Sequence, residues 1–341
     1  MIRNKWIHRL LIISVVCMLV GCSQNAKSSN SEGESELEDI SIMLDWYPNA
    51  VHSAIYVADE KGFFAEEGLN VDIEMPADTN DPLKLAATGK VDLAISYQTE
   101  VLVAKAEDIP IVSVATLVRH SLDGMMYKQA SGITRPKDLE GKLVGYPSSS
   151  VSEAIIATMV EKDGGDISKV KFADVGWDLM PALSTDRVDA IVGAYVNHEL
   201  VLLNKEGYDV KVTDPSEYGV PDTYELIVVT GEKTLEKKQA AIERFWRAVT
   251  KGQETVKKNP EEGLQVLLDH ENDSFPLDEE AEMEGLHILL PLMEEADLPF
   301  GFQEEASWKS VADWLYDMNI ITEQVDTDEL VKNIVPKQNN N

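Results

Sequence analysis

Short apolar runs of β type alternate with helix-compatible stretches along the chain from Asp39 onward. The first four of these runs are ISIMLD (40–45), VDIEM (71–75), VDLAISY (91–97) and IPIVSVATL (109–117). This βαβα order predicts a mainly parallel sheet with helices on both faces. Because ligands bind beyond the carboxyl ends of the strands in such sheets, the loops that begin at Asp45, Tyr97 and Leu117 are predicted walls of a site.

A second βα series runs from about Met126 to Tyr224, and after LIVVT (226–230) the chain becomes helical. The pattern predicts an α/β clamshell in which each lobe is a mainly parallel sheet flanked by helices. Lobe I is expected to comprise residues 39–125 and 226–336, and lobe II residues 126–225. A cleft between two such lobes is the expected ligand site.

The clearest of the C-terminal helices has an apolar stripe at helical spacing. The stripe consists of Ile242, Phe245, Val249 and Val256. Gly252 interrupts this spacing.

The N-terminus combines basic residues, an apolar run and a cysteine. The order is Arg3, Lys5 and Arg9, then an apolar stretch 11 residues long from Leu10 to Val20, then Gly21 and Cys22. It predicts a lipoprotein-type secretory signal over residues 1–21, with lipid attached to Cys22 and the protein held at the extracytoplasmic face of the cell membrane. A transmembrane anchor is the alternative, but spanning needs about 20 residues. Residues 22–38 are polar and predict a flexible linker.

The composition of the chain restricts the ligands and partners that it can bind. The formal net charge is −31, so nucleic acid and anionic lipid head groups are excluded as binding partners. The chain has two cysteines, Cys17 within the signal and Cys22 at its end. The mature chain therefore has no internal disulfide and no thiolate metal site, and we expect neither a metal nor a cofactor. Walker, HExxH and GxSxG motifs are absent from the sequence.

Several longer stretches resemble one family of binding proteins. They are LDWYPNAVHSAIYVADEKGFFAEEGLNVDI (44–73), GKVDLAIS (89–96), DLEGKLVGYP (138–147) and VDAIVGAYVNHELVLLNKEG (188–207). The chain resembles, over about residues 39–335, the periplasmic-type solute-binding proteins whose family includes the fungal thiamine-pyrimidine synthases. Its WYPNxxH and GAYxxxE motifs look most similar to the formylaminopyrimidine-binding lipoproteins of thiamine salvage.

The resemblance implies a type II periplasmic-binding-protein clamshell that binds and releases its ligand without chemistry. The implied ligand is N-formyl-4-amino-5-aminomethyl-2-methylpyrimidine, delivered to an ABC permease and its ATPase. Affinity in such proteins comes from closing two lobes around the ligand. A monomer is the default expectation.

A flat aminopyrimidine requires aromatic faces and an acceptor for its amino group. Trp46 follows the first strand and Tyr195 ends a second-lobe strand, so both are expected to face the cleft and to stack on the ring. Either ring could instead fill the core. Glu199 is the expected acceptor, on one face with Tyr195 if a helix begins near Asn197. A solvated surface charge is the alternative for this glutamate.

The remaining candidates have structural alternatives of similar weight. Asn49 and His52 follow Trp46, and His52 resembles the histidine that the fungal synthases consume. It could instead donate a hydrogen bond or cap the helix. Ser148 and Ser149 precede a predicted helix and could bind an oxygen of the ligand or serve as N-caps. Tyr97 could reach the ligand edge or pack under the loop.

Three other functions are weighed. A pyrimidine synthase shares the fold and His52, but those enzymes use iron and a cysteine-rich segment that the mature chain lacks. A sulfonate, taurine or nitrate receptor would need a cationic side chain, and neither the 45–53 loop nor the 195–199 loop contains lysine or arginine. A surface adhesin or signalling lipoprotein would have no deep cleft.

Overall fold

The computed structural model describes residues 37–147, 151–271 and 274–335. The predicted signal peptide, Cys22 and the linker up to residue 36 lie outside the described residues. So do Ser148 and Ser149.

Ten strands form two five-stranded sheets. The strands are β1 (Glu38–Met43), β2 (Leu69–Glu74), β3 (Leu93–Ser96), β4 (Ile111–Val118), β5 (Asp123–Lys128), β6 (Leu143–Tyr146), β7 (Lys171–Asp174), β8 (Ala190–Tyr195), β9 (Val210–Thr213) and β10 (Leu226–Gly231).

Twelve α-helices are present in the described ranges, with short 3₁₀ helices between them. The α-helices are α1 (Ser53–Glu60), α2 (Phe63–Glu66), α3 (Asp81–Ala87), α4 (Gln98–Ala106), α5 (Ser152–Lys162), α6 (Leu179–Ser184), α7 (Glu199–Lys205), α8 (Glu232–Lys258), α9 (Pro260–Leu268), α10 (Glu279–Met293), α11 (Glu305–Asp317) and α12 (Thr327–Leu330). None of these helices is long and apolar enough to cross a bilayer.

The two sheets follow the same plan. The first has the order β2-β1-β3-β10-β4 and the second β7-β6-β8-β5-β9. In each, one strand runs antiparallel to both of its neighbours, β10 in the first and β5 in the second, and the other four share a direction. Both antiparallel strands are the first that the chain forms after it crosses between the lobes. The predicted two-lobe α/β clamshell is confirmed.

The long helix α8 packs against α1 in the core of lobe I. Its predicted stripe of Ile242, Phe245, Val249 and Val256 is buried. Gly252 interrupts the stripe because a Cβ atom there would lie 2.0 Å from the Ala54 carbonyl oxygen of α1. The glycine therefore permits the close approach of the two helices.

A hydrogen bond joins the lobes on the side of α11. The Trp314 indole Nε1 donates to Thr158 Oγ1 of α5 over 3.0 Å. The same hydroxyl donates to the Ala154 carbonyl one turn earlier in its helix. The threonine thus has one bond within its helix and one between the lobes.

Replacing Thr158 with valine is expected to lower the free energy of unfolding by about 1 kcal/mol beyond the matched variant Thr250→Val. The Thr250 hydroxyl also donates to a carbonyl one turn back, that of Trp246, but it accepts no bond from an indole. The comparison therefore isolates the bond between the lobes, with denaturant midpoints as the measurement. Equal losses in both variants would assign no stability to the Trp314 contact.

Candidate ligand-binding site

A cavity of about 410 Å³ lies between the two lobes. Loops after β1 and β3 form the wall from lobe I, the ends of β6 and β8 form the wall from lobe II, and the two crossover segments also contribute. The residues on this wall include Asp45, Trp46, Asn49, Tyr97, Asp123, Tyr195, His198, Glu199 and Glu225. The cavity therefore opens at the carboxyl ends of parallel strands, as the strand pattern predicts.

The loop after β1 is held in shape by its own side chains. Asn49 Oδ1 accepts from the Val51 amide over 3.1 Å, and its Nδ2 donates to the Tyr47 carbonyl over 3.2 Å. Asn49 is thereby the N-cap of the 3₁₀ helix Ala50–His52. This loop presents Asp45, Trp46 and Asn49 to the cavity.

His52 lies behind this wall. Its ring has 0% exposure, Nε2 lies 2.9 Å from Asp45 Oδ1, and Nδ1 accepts from the Asn49 amide over 3.2 Å. Both ring nitrogens are therefore used within the loop. The structure places His52 behind the wall, where it positions Asp45 and caps the loop, as in the structural alternative stated for it.

Two tyrosines from opposite lobes line the cavity next to Asp45. The Tyr97 hydroxyl donates to Asp45 Oδ2 over 3.1 Å, and Tyr195 lies at the end of β8. Burial, followed by the charge of Asp45, raises the pKa of Tyr97 well above its ordinary value. Burial and the charge of Glu225 do the same for the pKa of Tyr195. Both phenols are therefore neutral donors at physiological pH.

Glu199 is joined to Tyr195 by a backbone contact. The carboxylate is 5% exposed, and Oε2 accepts from the Tyr195 amide over 2.8 Å. Helix α7 begins at Glu199 itself, with His198 as its N-cap, rather than near Asn197. Tyr195 and Glu199 are thus close because the Glu199 carboxylate turns back to the Tyr195 amide at the end of β8. They do not lie on successive turns of one helix.

Gly193 shapes the same wall. It has φ +83, and a Cβ atom there would lie 2.6 Å from Pro147 Cδ. Its amide donates to Asp123 Oδ1 over 2.6 Å, which joins β8 to the first residue of β5. A glycine is required because of both the left-handed backbone and the close approach.

The two crossover segments are tied to each other by carboxylates. Glu225 Oε2, in the second crossover, accepts from the Leu122 amide over 2.7 Å and from the Ser121 hydroxyl over 3.1 Å. Burial raises the pKa of Glu225, and burial together with the charge of Glu225 raises the pKa of Asp123 well above its ordinary value. These two carboxyl groups therefore form a polar end of the cavity.

The described part of the cavity wall is acidic. Among its described lining residues there are seven carboxylates and two histidines, but no lysine or arginine. The carboxylates are Asp45, Glu100, Asp123, Glu199, Asp214, Asp222 and Glu225. Such a wall disfavours an anion and favours a neutral or cationic ligand with hydrogen-bond donors.

An aromatic cluster stands behind Trp46 and crosses between the lobes. The Trp46 indole lies 4.0 Å, centroid to centroid, from that of Trp177 in lobe II. Tyr47 stacks on Phe275 with centroids 4.7 Å apart and an interplanar angle of 3°. The cluster packs against one side of the Trp46 ring. The part of the ring that lines the cavity remains available for the predicted stacking on a ligand.

Five of the predicted ligand-binding side chains lie on the wall: Trp46, Asn49, Tyr97, Tyr195 and Glu199. Sequence reasoning missed three others. Asp123 is the first residue of β5 and Glu225 directly precedes β10, and a carboxylate next to a strand end was the available signal. His198 directly precedes Glu199, the glutamate of the GAYxxxE motif. This position in the motif was the signal that could have identified His198. No group of three or more His, Cys, Asp or Glu side chains in the described part of the chain is arranged to hold a metal ion.

The two lobes and the cavity between them define the class of solute-binding proteins. The chain belongs to the NMT1/THI5-like family, whose profile matches residues 49–263.

Individual relatives share the sequence family, and solved structures share the fold. The chain is 44% identical over 305 residues to the formylaminopyrimidine-binding protein of Halalkalibacterium halodurans, covering 89% of this chain and 91% of the relative. It is 27% identical to the 4-amino-5-hydroxymethyl-2-methylpyrimidine phosphate synthase of Legionella pneumophila, covering 67% and 72%. The alkanesulfonate-binding protein SsuA of Xanthomonas axonopodis pv. citri, bound to MOPS, has the same fold, with a TM-score of 0.69, 12% identity and coverage of 87% and 99%.

Proposed function

We propose that this protein is the substrate-binding lipoprotein of an ABC importer and that it captures N-formyl-4-amino-5-aminomethyl-2-methylpyrimidine for thiamine salvage. It is anchored through lipid on Cys22 at the extracytoplasmic face of the cell membrane and passes its ligand to a permease and its ATPase. The 44% identity to a formylaminopyrimidine-binding protein supports this ligand.

The composition of the cavity wall is the observation that carries the proposal. Aromatic side chains, Trp46 and Tyr195 among them, share the wall with carboxylates and with no described lysine or arginine. A flat, weakly basic aminopyrimidine complements both properties, because its faces stack on aromatic rings and its amino group donates to a carboxylate. Glu199 is the proposed acceptor.

Binding without chemistry is part of the proposal. His52, which resembles the reactive histidine of the fungal synthases, is buried and bonded to Asp45 behind the cavity wall. The chain's two cysteines, Cys17 and Cys22, both precede the described lobes. These observations support a carrier and oppose an iron-dependent synthase.

Isothermal titration calorimetry tests the ligand. The purified protein is expected to bind the formylaminopyrimidine with submicromolar affinity, and to give no heat with an alkanesulfonate, taurine or nitrate. The anions serve as the control because SsuA, which has the same fold, was solved with a sulfonate. Strong heat with a sulfonate and none with the pyrimidine would overturn the assignment.

A further inference from the structure

His198 joins three parts of the molecule at one buried point. It follows β8 of lobe II and is 3% exposed. Its Nε2 lies 2.7 Å from the Tyr47 hydroxyl, and its Nδ1 lies 2.9 Å from Glu282 Oε1. Tyr47 belongs to the loop that carries Trp46, and Glu282 belongs to α10.

Both partners of His198 belong to lobe I. Helix α10 contributes Leu286, Leu289 and Met293 to the core of that lobe, and Glu282 Oε2 accepts from the Ala50 amide over 2.9 Å. Glu282 is 1% exposed, so its contact with His198 is shielded from solvent. A single imidazole therefore connects lobe II with both the helical core and the site loop of lobe I.

The close packing around this point has little tolerance for displacement. A Cβ atom at Gly285 of α10 would lie 2.1 Å from the Asn197 carbonyl oxygen, next to His198. His198 contacts Tyr47 and Glu282 at the same time because the two lobes pack this closely here.

We propose that His198 is a positioning residue that latches the two lobes together over the ligand and aligns Glu199 with the Trp46 loop. The inference rests on the proposed function for the identity of the ligand, but the latch itself is a property of the two lobes. Because Glu199 is the next residue in the chain, closing the latch also places the proposed acceptor.

The charged and titratable groups around the imidazole make the latch sensitive to pH. Glu199 of α7, Glu282 of α10 and Tyr47 of the site loop face it. Burial lowers the pKa of His198, but the two carboxylates outweigh burial and raise it to about 8 from an ordinary 6.5. In an open form the contact with Glu282 is lost and solvent screens the charge of Glu199, so the pKa of His198 falls back toward the ordinary value.

The sign of the pH effect follows from that difference. Closure takes up a proton at pH values between the ordinary and the raised pKa, so the contribution of the latch is full at low pH and is lost as the pH rises through about 8. Ligand affinity is therefore expected to fall over the same interval. The fall is expected mainly in a faster dissociation rate, because the latch holds the closed complex.

Two variants test the latch. His198→Gln retains hydrogen-bonding groups but does not titrate, and is expected to weaken binding of the formylaminopyrimidine about fivefold at neutral pH and to remove the pH dependence. Glu282→Gln removes one of the carboxylates that raise the pKa, and is expected to shift the pH transition of the wild type to lower pH. The matched control is Lys205→Gln, which breaks an exposed ion pair of α7 with Asp278 and Glu280 beside α10. It is expected to change neither property.

A measurement without ligand separates this inference from the ligand assignment. The radius of gyration from small-angle X-ray scattering is expected to increase as the pH rises through about 8 in the wild type, and to be independent of pH in His198→Gln. If calorimetry shows no pyrimidine binding while this transition persists, the ligand assignment fails and the latch stands. If binding is found with the same affinity and pH profile in wild type and both variants, the latch is overturned and the ligand assignment stands.

Discussion

Replacing Trp46 with alanine is expected to weaken binding of the formylaminopyrimidine by roughly 10- to 100-fold, measured by calorimetry. Stacking of a planar heterocycle on an aromatic side chain contributes about 1–3 kcal/mol, and every 1.4 kcal/mol is about tenfold in affinity. Trp46 lines the cavity, and Trp177 of lobe II contacts the indole from behind with the ring centroids 4.0 Å apart, so the ring is held in place when the lobes are together. Trp46→Phe keeps a smaller face and is expected to lose less.

The control for this variant is Trp177→Ala. It removes the support behind Trp46, and with it a contact between the lobes, but leaves the Trp46 ring on the cavity wall. We expect a loss of only a few fold. Equal losses in the two variants would show that Trp46 acts through lobe closure and not through stacking, and undiminished affinity in Trp46→Ala would remove it from the site.

The hydrophobic pattern of the sequence predicts most of the architecture of this protein. Runs such as VDLAISY and DAIVGAY predict β3 and β8, because strands buried on both faces are apolar along their whole length. The stripe on α8 was equally clear. Helix–helix approach at Gly252 could not be deduced from that stripe, because the partner carbonyl of Ala54 is about two hundred residues away in sequence.

Two strands have no comparable hydrophobic pattern in the sequence. β5 (DGMMYK) begins within the first crossover, and β9 (VKVT) is an edge strand with exposed residues at its centre. Their placement is decided by pairing with distant strands rather than by local preference. The antiparallel direction of β5 and β10 likewise depends on how the chain returns from the other lobe.

Residues of the site could be predicted from the sequence where they lie in a single loop or at the end of a single strand. Trp46 and Tyr195 follow strand ends, and the sequence alone indicated that they face a cleft. His52 has the same sequence neighbourhood, yet it faces Asp45 because its ring nitrogens have partners within the loop. The direction of a side chain within a tight loop depends on such contacts, and the spacing of residues does not reveal them.

Replacing Glu199 with glutamine is expected to weaken binding of the formylaminopyrimidine by tenfold or more, because a hydrogen bond to a charged group contributes roughly 1.5–3 kcal/mol. The substitution is nearly isosteric, and the glutamine oxygen can still accept from the Tyr195 amide, as Glu199 Oε2 does over 2.8 Å. The loop before α7 should therefore keep its conformation, and the loss in affinity reports the charge of Glu199, both toward the ring amine and toward His198.

The matched control for Glu199→Gln is Asp214→Asn, which removes one exposed carboxylate from the rim of the same cavity. Its Oδ1 accepts from the Ser216 amide, and asparagine preserves that cap. We expect its affinity to stay within about twofold of the wild type, since exposed charges are screened. Equal affinity losses in both variants would mean that the cavity attracts the ligand only through its summed negative charge, and no loss in Glu199→Gln would exclude Glu199 as the acceptor of the ring amine.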